Sequence, residues 1–533
     1  MNVTPLRPAS AVAILLLAAC ADAPRPVDDG VVVVAQETQA SFTRNFNPLL
    51  PGGTSRWPTR AGVYEPLAIF DSLTGEWVPW LATSWGWEAG NRVLRFEVRE
   101  GVRWSDGEPF TADDVVFTFE LMRKSPALDP AGVWKYLDRV VAPDDHTVVF
   151  YFGEVFVPGF DDLAQLPLVP RHVWQDVEDP LAFANPDPVG TGPFTEVRLW
   201  TPQVFELGKN PNYWQPLGVE AIRMPAFAGN DAANLALVAG EVDWAGNFVP
   251  AAERTFEAVD PEHRDFWSPP VEATVFLYAN TTKAPFDDPR VRKALSMAID
   301  RDLLVQVAMY DYTHPADATG LSDAAARWKD PGIGRAWTVH DPGAAADLLR
   351  EAGVDEVSVE LLAVAGWSDW IRAANVIARD LEAVGLDVDV RTPDFNGWFD
   401  SVQRGTYDLA IGWSTQGPTP YAFFRDVMGS ETVKPVGEPS PGNWHRWGSP
   451  AADVALARME RTSDPDELAD LATELQRLFL EEAPAIPLFP APAWGAANHA
   501  RFEGFPSAAD PWAALSPNRA PESLLVLTHL RSR

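Results

Sequence analysis

The rhythm of the sequence changes near residue 276, and that change constrains the fold more than any other feature. Before it, short strand-like runs alternate with turn clusters: the β-branched Val31 to Ala35, then Val93 to Val98, Thr147 to Phe152 and Gln203 to Leu207. Long helices are few there. The 49 prolines and 36 glycines are dispersed, so they punctuate locally and mark no single linker. After it, helix starts are written with proline at the first position, as in Asp288-Pro289, Asp341-Pro342 and Asp464-Pro465. Between them, Val357, Val359 and Leu361 alternate as a strand. A helical pattern over residues 369–384 stops at Gly385, Leu386 to Val390 alternate, residues 395–403 read as helix, and Tyr407 to Trp413 as strand. Leu468, Leu471, Leu475, Leu478 and Phe479 share one helical face, and Ile486 to Phe489 returns to strand. Strand and helix in turn at this spacing predict βαβ units on a largely parallel sheet. The expectation is an α/β protein of two lobes, mixed α+β first and α/β second.

The amino terminus carries a second constraint. Arg7 lies in a short leader, Ala9 to Ala19 is apolar, and Leu17-Ala18-Ala19 precede Cys20, the chain's single cysteine. These eleven residues, apolar except for Ser10, fall well short of the roughly 20 a membrane-spanning helix needs. An ordinary secretory signal with a chance cysteine is one reading. The sharper one is a lipoprotein signal at 1–19, which leaves Cys20 to carry lipid and residues 20–30 as a tether. A lone cysteine allows no internal disulfide. Seventy-five acidic against 42 basic side chains give a net charge of −33. Such an excess argues against nucleic-acid partners and against adhesion to anionic lipid, so membrane contact is expected only through the anchor.

Enzyme signatures are missing. HExxH, GxSxG, GxxxxGK[ST] and a strand-to-helix GxGxxG do not occur. The eight histidines show no ligand-like spacing, so neither a metal nor another cofactor is expected, and no catalytic residue is assigned.

Several segments instead form an ordered series. Residues 64–122, from YEPLAIFDS to FTADDVVFTFELM, read as strand, a Ser105-Asp106-Gly107 turn, and a helix that Thr111 and Asp114 cap. VGTGPF at 189–194, KNPNYW at 209–214, LVAGEVDWAG at 237–246, NTTKAPFDDPRVRKALSMAIDRDLL at 280–304, DPGAAADLLREAG at 341–353 and TYDLAIGW at 406–413 follow in order. The series resembles the family 5 extracytoplasmic solute-binding proteins of ABC importers, which include dipeptide, oligopeptide, nickel and cello-oligosaccharide binders. The resemblance implies a periplasmic-binding-protein-like fold whose two lobes, joined by hinge strands, close on a small ligand. It also implies a monomer that hands its ligand to a permease and ATPase complex outside the cytoplasm. Lobe I would comprise 31–275 plus 490–533, with an inserted subdomain at about 60–185, and lobe II 276–489.

The family's peptide binders carry an aspartate shortly after the YDL…W strand, where it holds the ligand's ammonium. Here Trp413 to Tyr421 reads WSTQGPTPY, and no acid appears until Asp426. GPTPYAFFRDVM at 417–428, WHRWGSP at 444–450 and NFNPLLPGG at 45–53 are similar to the cello-oligosaccharide branch. Twenty-two tryptophans suit a sugar, whose CH faces stack on indole. By resemblance, Trp413, Tyr421, Trp444 and Trp447 fall in ligand-facing loops. Trp367 and Trp370 start a helix after a sheet strand, where α/β ligands bind. Trp57, Trp244 and Trp398 are further candidates, with Asn45, Asn47 and Gln416 as hydroxyl partners. Core packing is the competing reading for each tryptophan and loop capping for each amide. Trp85, Trp87, Trp104 and Trp214 are assigned to the core. The first expectation is therefore an oligosaccharide receptor, with a short-peptide receptor as the alternative and a secreted glycan-active enzyme as a remote one.

Overall fold

The structure is a computed structural model that describes residues 30–50, 58–271, 273–354 and 357–533. Two large sheets divide it. The first has seven strands in the order Arg264–Phe266, Ala496–Asn498, Trp244–Ala245, Val31–Ala35, Ala221–Pro225, Val204–Lys209, Phe194–Thr201. Val31–Ala35 runs parallel to both its neighbours and is buried along almost its whole length, as its valine run predicts. A four-stranded antiparallel sheet, built from Ala82–Glu88, Val93–Val98, Leu137–Asp144 and Thr147–Phe152, forms the inserted subdomain beside it.

The second large sheet has the order Asp387–Arg391, Ser358–Leu362, Leu409–Trp413, Thr274–Ala279, Ile486–Pro490. Its first three strands are parallel, but Thr274–Ala279 pairs antiparallel with both Leu409–Trp413 and Ile486–Pro490. The sheet is thus more mixed than the alternation of elements predicts. The two antiparallel junctions are made by the strands through which the chain enters and leaves this lobe, and neither belongs to a βαβ unit. The chain crosses between the sheets twice, between Phe266 and Thr274 and between Pro490 and Ala496.

The helices follow their sequence signals closely. Pro289–Ala298, Pro342–Glu351 and Pro465–Glu482 each have proline at the first turn and an aspartate side chain accepting from a first-turn amide. The glutamate and aspartate of the first-lobe motifs act as folding braces. Asp114 closes a capping box with Thr111 and also accepts from Trp104 Nε1 and the Arg171 amide. Glu65 is fully buried and accepts from Trp80 Nε1 at 2.7 Å, the Tyr213 hydroxyl at 2.9 Å and Trp214 Nε1 at 3.3 Å. That contact ties YEPL to KNPNYW. In the 280–304 motif, buried Arg292 donates to the carbonyls of Glu482 and Ala483 and so satisfies the end of helix Pro465–Glu482.

Candidate functional site

The site is built where the two lobes meet. Lobe I contributes the segment Gly246 to Phe248, which follows strand Trp244–Ala245, and residues 518–522 near the carboxyl terminus. Lobe II contributes the start of helix Ser368–Glu382 and the loop after strand Leu409–Trp413. Together they enclose a cavity of about 620 Å³. This size suits a small solute.

The lobes are in direct contact at its edge. The Asn230 amide donates to the Gly366 carbonyl at 3.1 Å, and a Cβ on Gly229 would stand 3.2 Å from Gly366 Cα. Gly366 has φ of +85°, which glycine adopts without strain. The Arg372 guanidinium of lobe II lies 4.9 Å from the centre of the Phe248 ring of lobe I.

One wall is aromatic. Trp367 and Trp370 meet edge to face at 4.9 Å, Trp413 lies 6.3 Å and 6.0 Å from them, and Trp494 and Phe248 face the cavity from the other side. Trp398 is fully buried behind this wall, 5.8 Å from Trp370 and 5.0 Å from Trp413, and Trp444 stands edge-on to Trp413 at 5.4 Å. The wall is rigid because a second layer of indoles supports it.

The polar groups divide by charge. Arg60 stands 3.7 Å from Glu37, and Arg519 donates to Glu522 at 2.6 Å, so both cavity arginines lie beside carboxylates. Asp369 is 4% exposed, and among the described residues no arginine or lysine forms an ion pair with its carboxylate within 4 Å. It accepts from Asn230 Nδ2 at 3.3 Å. Burial pushes its carboxyl up to about 6, opposed by amides at the helix start, by Arg372 and by Asn230.

Three amides add acceptors. Phe248 O accepts from Asn234 Nδ2, so Asn234 presents its oxygen to Asn247 Nδ2 at 2.6 Å. That leaves the buried Asn247 Oδ1 with no donor among the described residues, and the buried Asn518 Oδ1 and Gln416 Oε1 are likewise without one; all three residues line the cavity. A ligand rich in N–H or O–H donors is what such atoms require.

Four of the residues singled out from sequence, Trp367, Trp370, Trp413 and Gln416, line this cavity. The others do not. Tyr421 faces a second cavity and donates to Glu460 at 2.9 Å. Trp398, Trp444 and Trp447 are buried in the lobe II core. Trp244 is buried in lobe I, its Nε1 donating to the Leu515 carbonyl at 2.9 Å. Asn47 spends its amide on the carbonyls of Pro180 and Phe183, and Asn45 closes a turn by accepting from the Asn47 amide. Trp57 and Cys20 lie outside the described residues. Trp87, assigned to the core, lines the second cavity. Asp426 braces the loop after the strand by accepting from the Thr415 amide at 2.8 Å. Sequence reasoning missed Asp369, Asn247, Phe248, Trp494 and Asn518. Only Asp369 carried a signal, lying between the two helix-start tryptophans.

The model of the bacterial extracellular solute-binding proteins, family 5 (middle), matches residues 76–434. The chain belongs to that family. Among family 5 relatives, Di/tripeptide-binding protein 2 of Pseudomonas aeruginosa is 27% identical over 527 residues, covering 91% of this chain and 94% of its own. A Thermotoga maritima periplasmic oligopeptide-binding protein of an ABC transporter, solved with mannohexaose bound, superposes with a TM-score of 0.86. It is 26% identical and covers 95% of this chain and 99% of its own. A Helicobacter pylori ABC-transporter binding protein holding the peptide STSA shares the fold at a TM-score of 0.79 and 20% identity, over 94% of this chain and 98% of its own.

Proposed function

We propose that this family 5 protein captures a short peptide between its lobes outside the cytoplasm and delivers it to the permease and ATPase of an ABC importer. The observation that carries the reading is Asp369, a buried carboxylate on the cavity wall with no arginine or lysine ion pair within 4 Å among the described residues, acted on by only the more distant Arg372 charge. A buried charge of this kind is costly unless matched, and a peptide's terminal ammonium matches it. Asn247 and Asn518 would accept further N–H donors from the ligand, and the indole wall would cover its side chains. The curated di/tripeptide-binding relatives support the same reading. The aspartate that the post-strand loop lacks is thus supplied from a neighbouring helix.

Capture makes and breaks no bond. Ligand binds both lobes in the closed form and so shifts an open–closed equilibrium toward it. The chain acts as a monomer, held at the membrane by lipid on Cys20.

A neutral oligosaccharide, the ligand expected first from sequence, is the second reading. The tryptophan wall favours it, and the Thermotoga maritima relative was solved with mannohexaose. Calorimetric titration with di- and tripeptides, N-acetylated peptides, and cello- and manno-oligosaccharides separates the two. Binding of free peptides with loss on N-acetylation is expected; binding of the sugars alone overturns the peptide reading.

A further inference from the structure

The interlobe cavity is not the only large space at this interface. A second, of about 650 Å³, lies between the inserted subdomain and helix Pro420–Met428, with Trp87, Phe160 and Tyr421 in its walls. The two are separated by very little. On one side of the divide stand Asp161 and Gln165, one helical turn apart at the end of Gly159–Ala164; Gln165 faces the first cavity and Asp161 the second. The Gln165 amide donates to Asp161 Oδ1. On the other side runs the loop after strand Leu409–Trp413. Its Gln416 and Gly417 face the first cavity, while Thr415 and Pro418 face the second. A Cβ on Gly417 would meet Asp161 Oδ2 at 3.4 Å, so the loop backbone and that carboxylate are in near contact.

Both flanks of this divide are held firmly. The Thr415 amide is fixed by Asp426 at 2.8 Å. The subdomain is fixed to lobe II by the Val157 amide on the Glu460 carbonyl at 2.8 Å and by Phe156 edge-on to Tyr421 at 5.9 Å. The divide itself therefore consists of two side chains between rigid walls. Burial and the adjacent Asp162 push the Asp161 carboxyl up to about 7, as befits an acid enclosed at a seam.

We propose that Asp161 and Gln165 set the length of the ligand by closing one end of the interlobe cavity, and that without them the two cavities form one groove for a longer chain. This rests on the peptide reading above. The acidic and aromatic lining of the second space then receives the residues beyond the third.

The test is calorimetric titration of trialanine and hexaalanine into wild-type protein, the Asp161→Ala/Gln165→Ala double variant and Asp161→Asn. Wild-type protein is expected to favour the trimer at least tenfold. The double variant is expected to gain about tenfold on the hexamer while holding the trimer within threefold. Asp161→Asn, which keeps the bulk, is expected to match wild type. A folded double variant with no gain on the hexamer overturns the proposal, and so does Asp161→Asn gaining as much. If the double variant fails a thermal melt, Gln165→Ala alone is titrated and judged by the same hexamer gain. Wild-type protein that binds neither peptide overturns the peptide reading instead. The variants are then titrated with mannotriose and mannohexaose, and an unchanged trimer-to-hexamer ratio overturns the length rule.

Discussion

Asp369 concentrates the chemistry of the cleft in one side chain. Replacing it with asparagine keeps the shape and removes the charge. Hydrogen bonds to charged groups contribute about 1.5–3 kcal/mol, so Asp369→Asn is expected to weaken dipeptide binding tenfold or more in a fluorescence titration and to leave any neutral sugar unaffected. The same group sets a pH dependence. Its carboxyl, raised to about 6, must be ionised to hold an ammonium, so peptide affinity is expected to fall as pH drops through about 6 and to level off above 7. Behind the wall, Trp398→Ala is expected to cost about 3–5 kcal/mol of stability in denaturant unfolding, because it opens a cavity under Trp370 and Trp413. These residues were unequally legible. Trp367 and Trp370 announced themselves by standing at a strand's carboxyl end. Asp369 stands between them, but one acid among 75 does not stand out by type alone. Asn247 and Asn518 were hidden because their unpaired oxygens result from contacts that commit their amide nitrogens to Asn234 and Gly246, which only the folded chain brings together.

At the scale of elements, capping chemistry was readable because it is local: an aspartate, a proline and an apolar stripe specify helices Pro289–Ala298, Pro342–Glu351 and Pro465–Glu482. The direction of Thr274–Ala279 was not readable, since it depends on pairing with residues more than a hundred positions away. The same distinction separates Tyr421, which faces the second cavity, from Trp444 and Trp447, which the turns that bear them direct into the lobe II core. The junction of Gly229 and Gly366 joins elements of different lobes with no room for a side chain. Gly366→Val is therefore expected to hold the lobes apart. Small-angle scattering should show a larger radius of gyration with saturating ligand than wild type has, and affinity should fall at least tenfold, since closure is what ligand binding stabilises.

The whole molecule behaves as two bodies sharing one guest. Ligand at 100 times its dissociation constant is expected to add about 2.7 kcal/mol to the folded protein, visible as a rise in melting temperature; a tenfold weaker Asp369→Asn keeps only about 1.4 kcal/mol of it at the same peptide concentration. The two-lobed plan was legible from the rhythm change alone, although the antiparallel half of the second sheet was not.

The last crossing has a consequence for how the chain is made. Ala496–Asn498 lies between Arg264–Phe266 and Trp244–Ala245, and Arg501 just beyond it pairs with buried Asp243. A growing polypeptide halted before residue 496 lacks an interior strand of its first sheet, so that body stays unfinished until translation is almost over. Its unfinished edge strands stay unpaired for most of synthesis, the condition in which partly folded chains are most open to mispairing.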